Sequence, residues 1–184
     1  MLKLNAENVQ VSVFTYKEGV LSAVAHDLKF EVSKFEIATQ MSASGGDLAE
    51  WNMTVKAAFD ASSLKTVCAM KDGEQRPGVL TASDRRDIEK NIAATVLKTE
   101  RFPRILFSST GISGDLENLS IKGKLTLCGV TRTVVVPVVR QKGRCVAEAV
   151  LDQRNFGIKP FSAFFGAMKV KPEIKVRVSF SGLF

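Results

Sequence analysis

The chain has 184 residues, which is enough for one domain with a sizeable core. Hydrophobic residues make up 45% of it and charged residues 24%, a composition that excludes an intrinsically disordered chain. No apolar run approaches the roughly 18 residues that a transmembrane helix needs. We therefore predict a single domain over residues 1–184.

The cysteines and the chain start bear on the compartment. Cys68, Cys128 and Cys145 are odd in number and far apart, which argues against a disulfide framework or a zinc site and predicts core thiols. The chain begins with Met and shows no basic segment followed by an apolar core, so no secretory signal is recognisable. We expect a cytoplasmic protein, or a periplasmic one if this sequence is a processed form.

The formal net charge of +7 is unevenly distributed. Residues 1–92 hold 11 basic and 13 acidic side chains, and residues 93–184 hold 15 and 6. A basic half is typical of a surface that meets nucleic acid or anionic lipid, or of strands that place Lys and Arg on their solvent face. Basic residues alternate with apolar ones around Lys122 and Lys175, which favours the second interpretation.

Period-two alternation of apolar and polar residues predicts most of the elements. Many short strands separated by turn signals indicate an all-β antiparallel protein, a barrel or a sandwich. Closure into a barrel would remove the exposed sheet edges. The predicted strands are 9–15, 20–26, 28–38, 51–60, 104–112, 118–127, 132–140, 144–152 and 172–181.

One amphipathic helix is predicted over residues 84–98, after a long loop over 62–82. Ile88, Ile92 and Val96 recur four apart on one side, and Pro103 prevents continuation. We expect Ser83 or Asp84 to cap the helix and Glu89, Lys90 and Lys98 to face water. A helix inserted in an all-β chain is expected to plug a barrel end or cover a gap in its wall.

Two motifs point to a family. Phe-Pro-x-Ile-x-Phe-x-Ser begins at Phe102, and Gly-x-Leu-Thr-Leu-x-Gly-Val-Thr-Arg-x-Val begins at Gly123. With Phe156-Gly157-Ile158, they make the chain from about 88 to 180 resemble the YceI-like family of bacterial proteins. It departs at Cys128, often His in the family, and at residues 98–102, where an acidic double-Phe motif is common. The resemblance implies a closed, lipocalin-like antiparallel β-barrel of about eight strands that binds polyisoprenoids and other long amphiphiles.

The sequence holds no recognisable catalytic constellation. His26 is the sole histidine, which rules out the multi-histidine metal motifs, and no nucleophile elbow is present. Ser62-x-x-Lys65 has a β-lactamase-like spacing without its partner motifs. We predict that the protein is not an enzyme and has no metal or resident cofactor. His26 is expected at a strand or at the barrel mouth, hydrogen-bonded to a neighbour or to a ligand head group.

A phenylalanine-rich segment, 155–168, shows neither strand nor helix periodicity. One interpretation is a long connection that folds back onto the barrel end. The other is a flexible apolar lid over a cavity mouth, with nearby Lys159, Lys169 and Lys171 holding an anionic or polar head group.

The leading functional hypothesis is a carrier whose lumen binds a polyisoprenoid, an isoprenoid quinone or a fatty acid. Small residues on the inward strand faces, namely Ala57, Gly123, Ala147 and Ala149, are expected to leave lumen volume. The predicted ligand-binding residues are His26, Phe30, Trp51, Phe59, Ile92, Val96, Phe107, Leu125, Phe156, Phe161, Phe164 and Phe165.

Two further hypotheses remain open. The basic C-terminal half could bind nucleic acid or an anionic surface, although the aromatic residues are not interleaved with Lys and Arg as base stacking requires. An enzyme acting on a lipid-like substrate is the third. Transient membrane contact and a homodimer formed through the apolar lid are also open.

Overall fold

Antiparallel strands make up most of the chain, as the period-two pattern predicts. The computed structural model describes residues 2–4, 8–20, 25–43, 51–115, 118–141 and 143–181. The strands in these ranges are β1 (Leu2–Leu4), β2 (Val9–Thr15), β3 (Lys17–Glu18), β4 (Asp27–Val32), β5 (Phe35–Ala43), β6 (Trp51–Asp60), β7 (Leu64–Lys71), β8 (Glu74–Arg76), β9 (Arg104–Gly114), β10 (Asn118–Leu127), β11 (Val130–Gln141), β12 (Arg144–Asp152), β13 (Ser162–Ala163), β14 (Met168–Val170) and β15 (Glu173–Phe180).

Two long, bent strands pair along their whole length. Strands β4 and β5 are separated only by residues 33–34, and β6 and β7 only by the 3₁₀ turn Ala61–Ser63. The β5–β6 ladder ends at Phe35 opposite Phe59, and the β4–β7 ladder resumes at Val32 opposite Leu64. Between them, the Asp60 N–H donates to the Lys34 carbonyl at 2.9 Å and the Ser33 N–H donates to the Ser63 carbonyl at 3.2 Å. The ladder is therefore continuous across both bends.

This continuity closes the sheet into a barrel. On its free edge β4 pairs with β2, and on its free edge β6 pairs with β9. The order β9-β10-β11-β12-β15-β2 connects those two edges. Counting each bent strand once gives a ring of eight antiparallel strands, with β1 and β8 as short additions to β5 and β7. The predicted all-β, closed, lipocalin-like barrel of eight strands is confirmed.

Several predicted boundaries are wrong. The predicted strand 28–38 is broken by the bend at 33–34. In the predicted strand 20–26, Val20, Ala25 and His26 lie in the connection from β3 to β4, and residues 21–24 fall outside the described part. The predicted loop over 62–82 contains β7 and β8. Strand β7 was not predicted because its alternation is interrupted. A bulge opposite Lys29 and Phe30 shifts its register, so that the consecutive residues Cys68 and Ala69 are both buried.

Two apolar clusters lie towards the two ends of the barrel. The larger one closes the end at which β2 and β10 begin, around Val9, Val11, Ile121, Val138 and Phe180. The smaller one lies at the opposite end of β10, around Leu125, Leu127, Phe156 and Ile158. The inward faces deduced from alternation, including that of Leu125, are therefore correct.

Gly123 gives the wall room for an aromatic ring. A Cβ at this position would lie 2.4 Å from Phe107 Cζ and 2.7 Å from the Ser108 carbonyl oxygen. The β9–β10 ladder carries a bulge beside this residue. From its small size, Gly123 was expected to leave lumen volume. It does not, because the Phe107 ring takes the space.

The helix begins earlier than predicted and continues differently. Helix α1 (Ala82–Asn91) is capped by Thr81, whose Oγ1 accepts a hydrogen bond from the Asp84 N–H at 3.1 Å, while Asp84 accepts from the Thr81 N–H at 2.8 Å. Neither Ser83 nor Asp84 is the N-cap. A π-helical turn (Ile92–Val96) extends it. No helix among the described residues has the length and hydropathy to cross a membrane.

Glu89 anchors the helix to the barrel instead of facing water. Its carboxylate accepts a hydrogen bond from the Thr66 N–H at 2.8 Å and pairs with Lys65 Nζ at 3.1 Å. A part-buried backbone N–H needs an acceptor, and the Thr66 N–H has its acceptor in a side chain of the helix and not in a neighbouring strand. Glu89 supplies it and fixes the helix across β7.

Replacing Gly123 by Ala should lower the free energy of unfolding by about 1–3 kcal/mol, since the new methyl group meets a ring and a carbonyl that cannot both move away. Gly111→Ala is the matched control, because a Cβ there meets nothing within 4 Å. Urea denaturation of both variants measures the difference. Equal stabilities would show that the Phe107 ring does not lie against Gly123.

Glu89→Ala should destabilise the protein by about 1–2 kcal/mol and speed amide hydrogen exchange at Thr66, because that N–H loses its acceptor. Glu100→Ala, at an exposed position, is the control. Exchange at Thr66 that stays as slow as in the unmodified protein would contradict the anchoring role.

Candidate ligand cavity

The barrel encloses a cavity of about 700 Å³. Every strand of the ring contributes side chains to its wall, and helix α1 with its π-helical turn contributes Ile88, Ile92 and Val96. Most of the lining residues are Val, Ile, Leu, Ala, Phe or Met. The interior is therefore an apolar chamber and not a fully packed core.

Side-chain exposure shows where the chamber lies. Val11, Val138 and Phe180 are buried at the closed end, whereas Val13 and Val176 further along β2 and β15 are only half-buried. All of these residues line the cavity, so the half-buried ones face open space and not solvent outside the barrel. Small residues enlarge that space, and Ala57, Ala147 and Ala149 line it as expected.

Polar side chains gather at the mouth. Lys17, His26, Asp87, Asn91 and Lys169 line the cavity near the chain segments that leave the barrel. Lys17 fixes the connection that carries His26, because its N–H donates to Asp27 Oδ1 at 2.8 Å and its Nζ donates to the Ala25 carbonyl at 3.1 Å. His26 itself is exposed. Charge is therefore concentrated at the entrance, and the rest of the wall is apolar apart from a few side chains such as Thr39 and Asp60.

Asp60 is a carboxylate tied into the wall at the bend between β6 and β7. The Ser62 hydroxyl and N–H donate to its Oδ1 at 2.6 and 2.9 Å, and these bonds lower the pKa of Asp60. The Ser63 hydroxyl donates to the Asp60 carbonyl at 2.8 Å. The serines of the Ser-x-x-Lys pattern therefore shape the bend that closes the barrel.

The helix lies over the cavity and is fastened at its far end by Cys128. Cys128 and Gly129 form the two-residue turn between β10 and β11, both with positive φ (49° and 77°). The Cys128 Sγ donates to the Leu97 carbonyl at 3.4 Å. Burial raises the pKa of this thiol, so it stays protonated at neutral pH and serves as a donor.

The structure brings most of the predicted ligand-binding residues together. The predicted ligand-binding residues that line the cavity are His26, Phe30, Phe59, Ile92, Val96, Phe107, Leu125 and Phe161. Among them, Phe30 has an exposure of only 1% and is packed into the wall.

The other predicted positions lie elsewhere. Phe156 is 2% exposed and packs with Leu125, Leu127 and Ile158 without lining the cavity. Phe165 points outward and is fully exposed. The side chains of Trp51 and Phe164 lie outside the described part of the structure.

Sequence reasoning missed several lining residues, among them Leu28, Leu80, Val134 and Met168. Val134 could have been found, because it shares the inward face of its strand with Val136 and Val138. Leu80 and Met168 carry no periodic signal, since Leu80 precedes the helix cap and Met168 opens a strand of three residues.

The phenylalanine-rich segment 155–168 is a connection held in place by strand pairing. A 3₁₀ turn (Gln153–Phe156) ends at Gly157, where φ is 70°. Strands β13 and β14 then form a small sheet with β3, in which Lys169 lies opposite Glu18. Phe161 and Met168 line the cavity from this segment. It borders the mouth, as the lid hypothesis expects, but hydrogen bonds to β3 hold it in place.

The basic side chains of the last strands are partly neutralised on the outer wall. Glu148 pairs with Lys175 Nζ at 3.0 Å and with an Arg177 guanidinium nitrogen at 2.6 Å. Within the described ranges, no group of three or more His, Cys, Asp or Glu side chains could hold a metal ion.

Comparison with solved structures supports this architecture. Burkholderia cenocepacia BcnA superimposes with a TM-score of 0.61 at 15% identity, over 93% of this chain and 94% of that one. A polyisoprenoid binding domain from Saccharophagus degradans, implicated in plant cell wall breakdown, superimposes with a TM-score of 0.52 at 10% identity, over 98% of both chains. At these identities the likeness shows the fold alone.

Family comparison agrees with the residues that first indicated the resemblance. No match was found among curated proteins. The sequence profile described as the YceI-like domain matches residues 3–181, nearly the whole chain. The chain therefore belongs to the YceI-like family.

Proposed function

We propose that the protein binds and carries a long-chain amphiphile, a polyisoprenoid or an isoprenoid quinone, with the apolar chain inside the barrel. The observation that carries this proposal is the cavity of about 700 Å³, whose wall is mostly apolar and whose charged lining residues, apart from Asp60 at the bend, lie at the mouth. That volume falls within the usual range for small-molecule sites. No catalytic step is part of the proposal.

The wall chemistry selects an apolar chain. Burial of hydrocarbon at about 25 cal/mol per Å² favours binding without any specific hydrogen bond. A polar group carried deep into the barrel would lose its hydration, and valine and isoleucine side chains give it no partner in return. The ligand is therefore oriented with its chain inward and its polar end at the mouth.

The mouth chemistry selects the head group. Lys17, Lys169 and His26 can all donate hydrogen bonds there, with Lys17 already held by the Ala25 carbonyl. Donors of this kind suit a carboxylate, a phosphate or a quinone oxygen. The Saccharophagus domain of the same fold is described as polyisoprenoid-binding, which supports the same ligand class here as a proposal.

Larger side chains on the cavity wall test whether this region of the barrel is an open lumen or a packed core. Ala149 and Val176 lie opposite each other on β12 and β15, and both line the cavity. Ala149→Leu combined with Val176→Phe should leave the free energy of unfolding within about 1 kcal/mol, whereas comparable overpacking of a full core costs about 1–3 kcal/mol. A large loss of stability in chemical denaturation would show that this region is packed and not open.

The same double variant should weaken binding of a fluorescent polyprenyl analogue at least tenfold in titration, because the added side chains take the volume of the ligand. Val150→Leu, an exposed outer-wall position, is the control and should bind as the unmodified protein does. No binding by the unmodified protein, or equal binding by the Ala149→Leu, Val176→Phe variant, would refute the carrier function.

Two single substitutions test the mouth in the same titration. Phe161→Ala should weaken binding of the analogue. His26→Ala should reduce the free energy of binding by about 1 kcal/mol, as expected for the loss of one head-group hydrogen bond.

A further inference from the structure

Two exposed loop tips meet beside the cavity mouth. The turn after β3 carries Gly19 and Val20, and the turn between β13 and β14 carries Phe165 and Gly166. A Cβ at Gly19 would lie 2.5 Å from the Ala167 carbonyl oxygen, so the two turns are in close contact. We call this pair of turns the rim.

The rim exposes large apolar side chains. Val20 is 87% exposed and Phe165 is fully exposed. Phe165 also has a φ of 53°, in the left-handed region that bulky residues rarely adopt. An aromatic side chain held outward by a strained backbone gains nothing from the fold, and such strain is typical of sites that contact another molecule.

Positive charge lies next to these apolar tips. A surface groove beside Phe165 is lined by Arg154, Lys159 and Lys169 against one acidic residue, Glu18. Arg154 is paired with Asp152 at 2.6 Å. Among the described residues, no acidic side chain forms an ion pair with Lys159 or Lys169. The groove therefore presents cations to whatever meets the rim.

The groove is continuous with the cavity. Phe161, Lys169 and Val170 line both the groove and the mouth. A surface that contacts the rim consequently lies at the entrance through which a ligand passes.

We propose that the rim docks on an anionic lipid bilayer, with Val20 and Phe165 inserted among the head groups and Lys159 and Lys169 bound to lipid phosphates. This inference rests on the proposed function, because a long-chain amphiphile partitions into bilayers and must be exchanged there. Apolar tips flanked by lysines match the interfacial region of an anionic bilayer, where each lysine adds to the attraction. A barrel docked in this way opens its mouth towards the lipid.

Vesicle sedimentation tests the docking. The unmodified protein should pellet with vesicles of phosphatidylglycerol and phosphatidylcholine, less at high salt, and not with phosphatidylcholine alone. Val20→Ser combined with Phe165→Ser should weaken pelleting at least tenfold. Lys159→Gln should weaken it about fivefold, the factor expected for one lysine near an anionic surface.

The chain offers matched controls. Val150→Ser removes an exposed apolar side chain from the outer wall, and Lys122→Gln removes an exposed lysine from β10, so both should pellet like the unmodified protein. No pelleting, equal pelleting with phosphatidylcholine alone, or equal losses in the control variants would overturn the proposal. So would a change in sedimentation velocity of the Val20→Ser, Phe165→Ser variant without vesicles, since the rim would then be a contact between two copies of the chain.

Docking and ligand binding can fail separately. In solution, the Val20→Ser, Phe165→Ser variant should bind a short, soluble polyprenyl analogue as tightly as the unmodified protein but take it up more slowly from anionic vesicles. Normal uptake from vesicles would contradict docking while leaving the carrier function intact. Rim-dependent pelleting without analogue binding would contradict the carrier function alone.

Discussion

The pairing of two bent strands across their bends is the interaction on which the rest of the structure depends. Two backbone hydrogen bonds, between residues 60 and 34 and between residues 33 and 63, continue the ladder where each strand changes direction. Without that continuity, β6 and β4 would be edges of an open sheet, exposed to pairing with other chains. With it, the eight strands enclose a volume. Asp60, Ser62 and Ser63 stabilise the bend through side-chain hydrogen bonds. Ser62, which begins the β-lactamase-like Ser-x-x-Lys spacing, therefore helps to close the barrel.

A closed barrel of eight strands can be filled by its own side chains or left open for one slim molecule. This chain does both. At one end, Val11, Val138 and Phe180 pack tightly and supply stability. In the middle, alanine and valine leave the chamber, and Phe107 reaches over Gly123 to shape its wall. The helix, anchored by Glu89 and Cys128, covers the chamber without being buried itself. Stability and ligand space are therefore assigned to different stretches of the same strands.

The inward faces of the strands and the apolar stripe of the helix could be predicted from the sequence, because each depends on a local period. Local periods left a barrel and a sandwich open, and the family resemblance implied the barrel. Leu125 and Val176 lie where alternation placed them, and Ile92 and Val96 face the cavity as their spacing indicated. The errors share a cause in non-local contacts. A bulge interrupts the alternation of strand β7. Glu89 faces the barrel because it accepts a hydrogen bond from the Thr66 N–H, which is distant in sequence. The aromatic cluster divides into a cavity residue, a core residue and an exposed one, which no spacing rule within ten residues could separate.

We infer that the barrel holds one long apolar molecule with its polar end at the mouth. Native mass spectrometry of the protein purified from its own cells, followed by lipid extraction, tests this most directly. We expect a complex of one chain with one amphiphile, which the Ala149→Leu, Val176→Phe variant fails to retain. A spectrum containing only the bare chain, with no long-chain lipid in the extract, would contradict it.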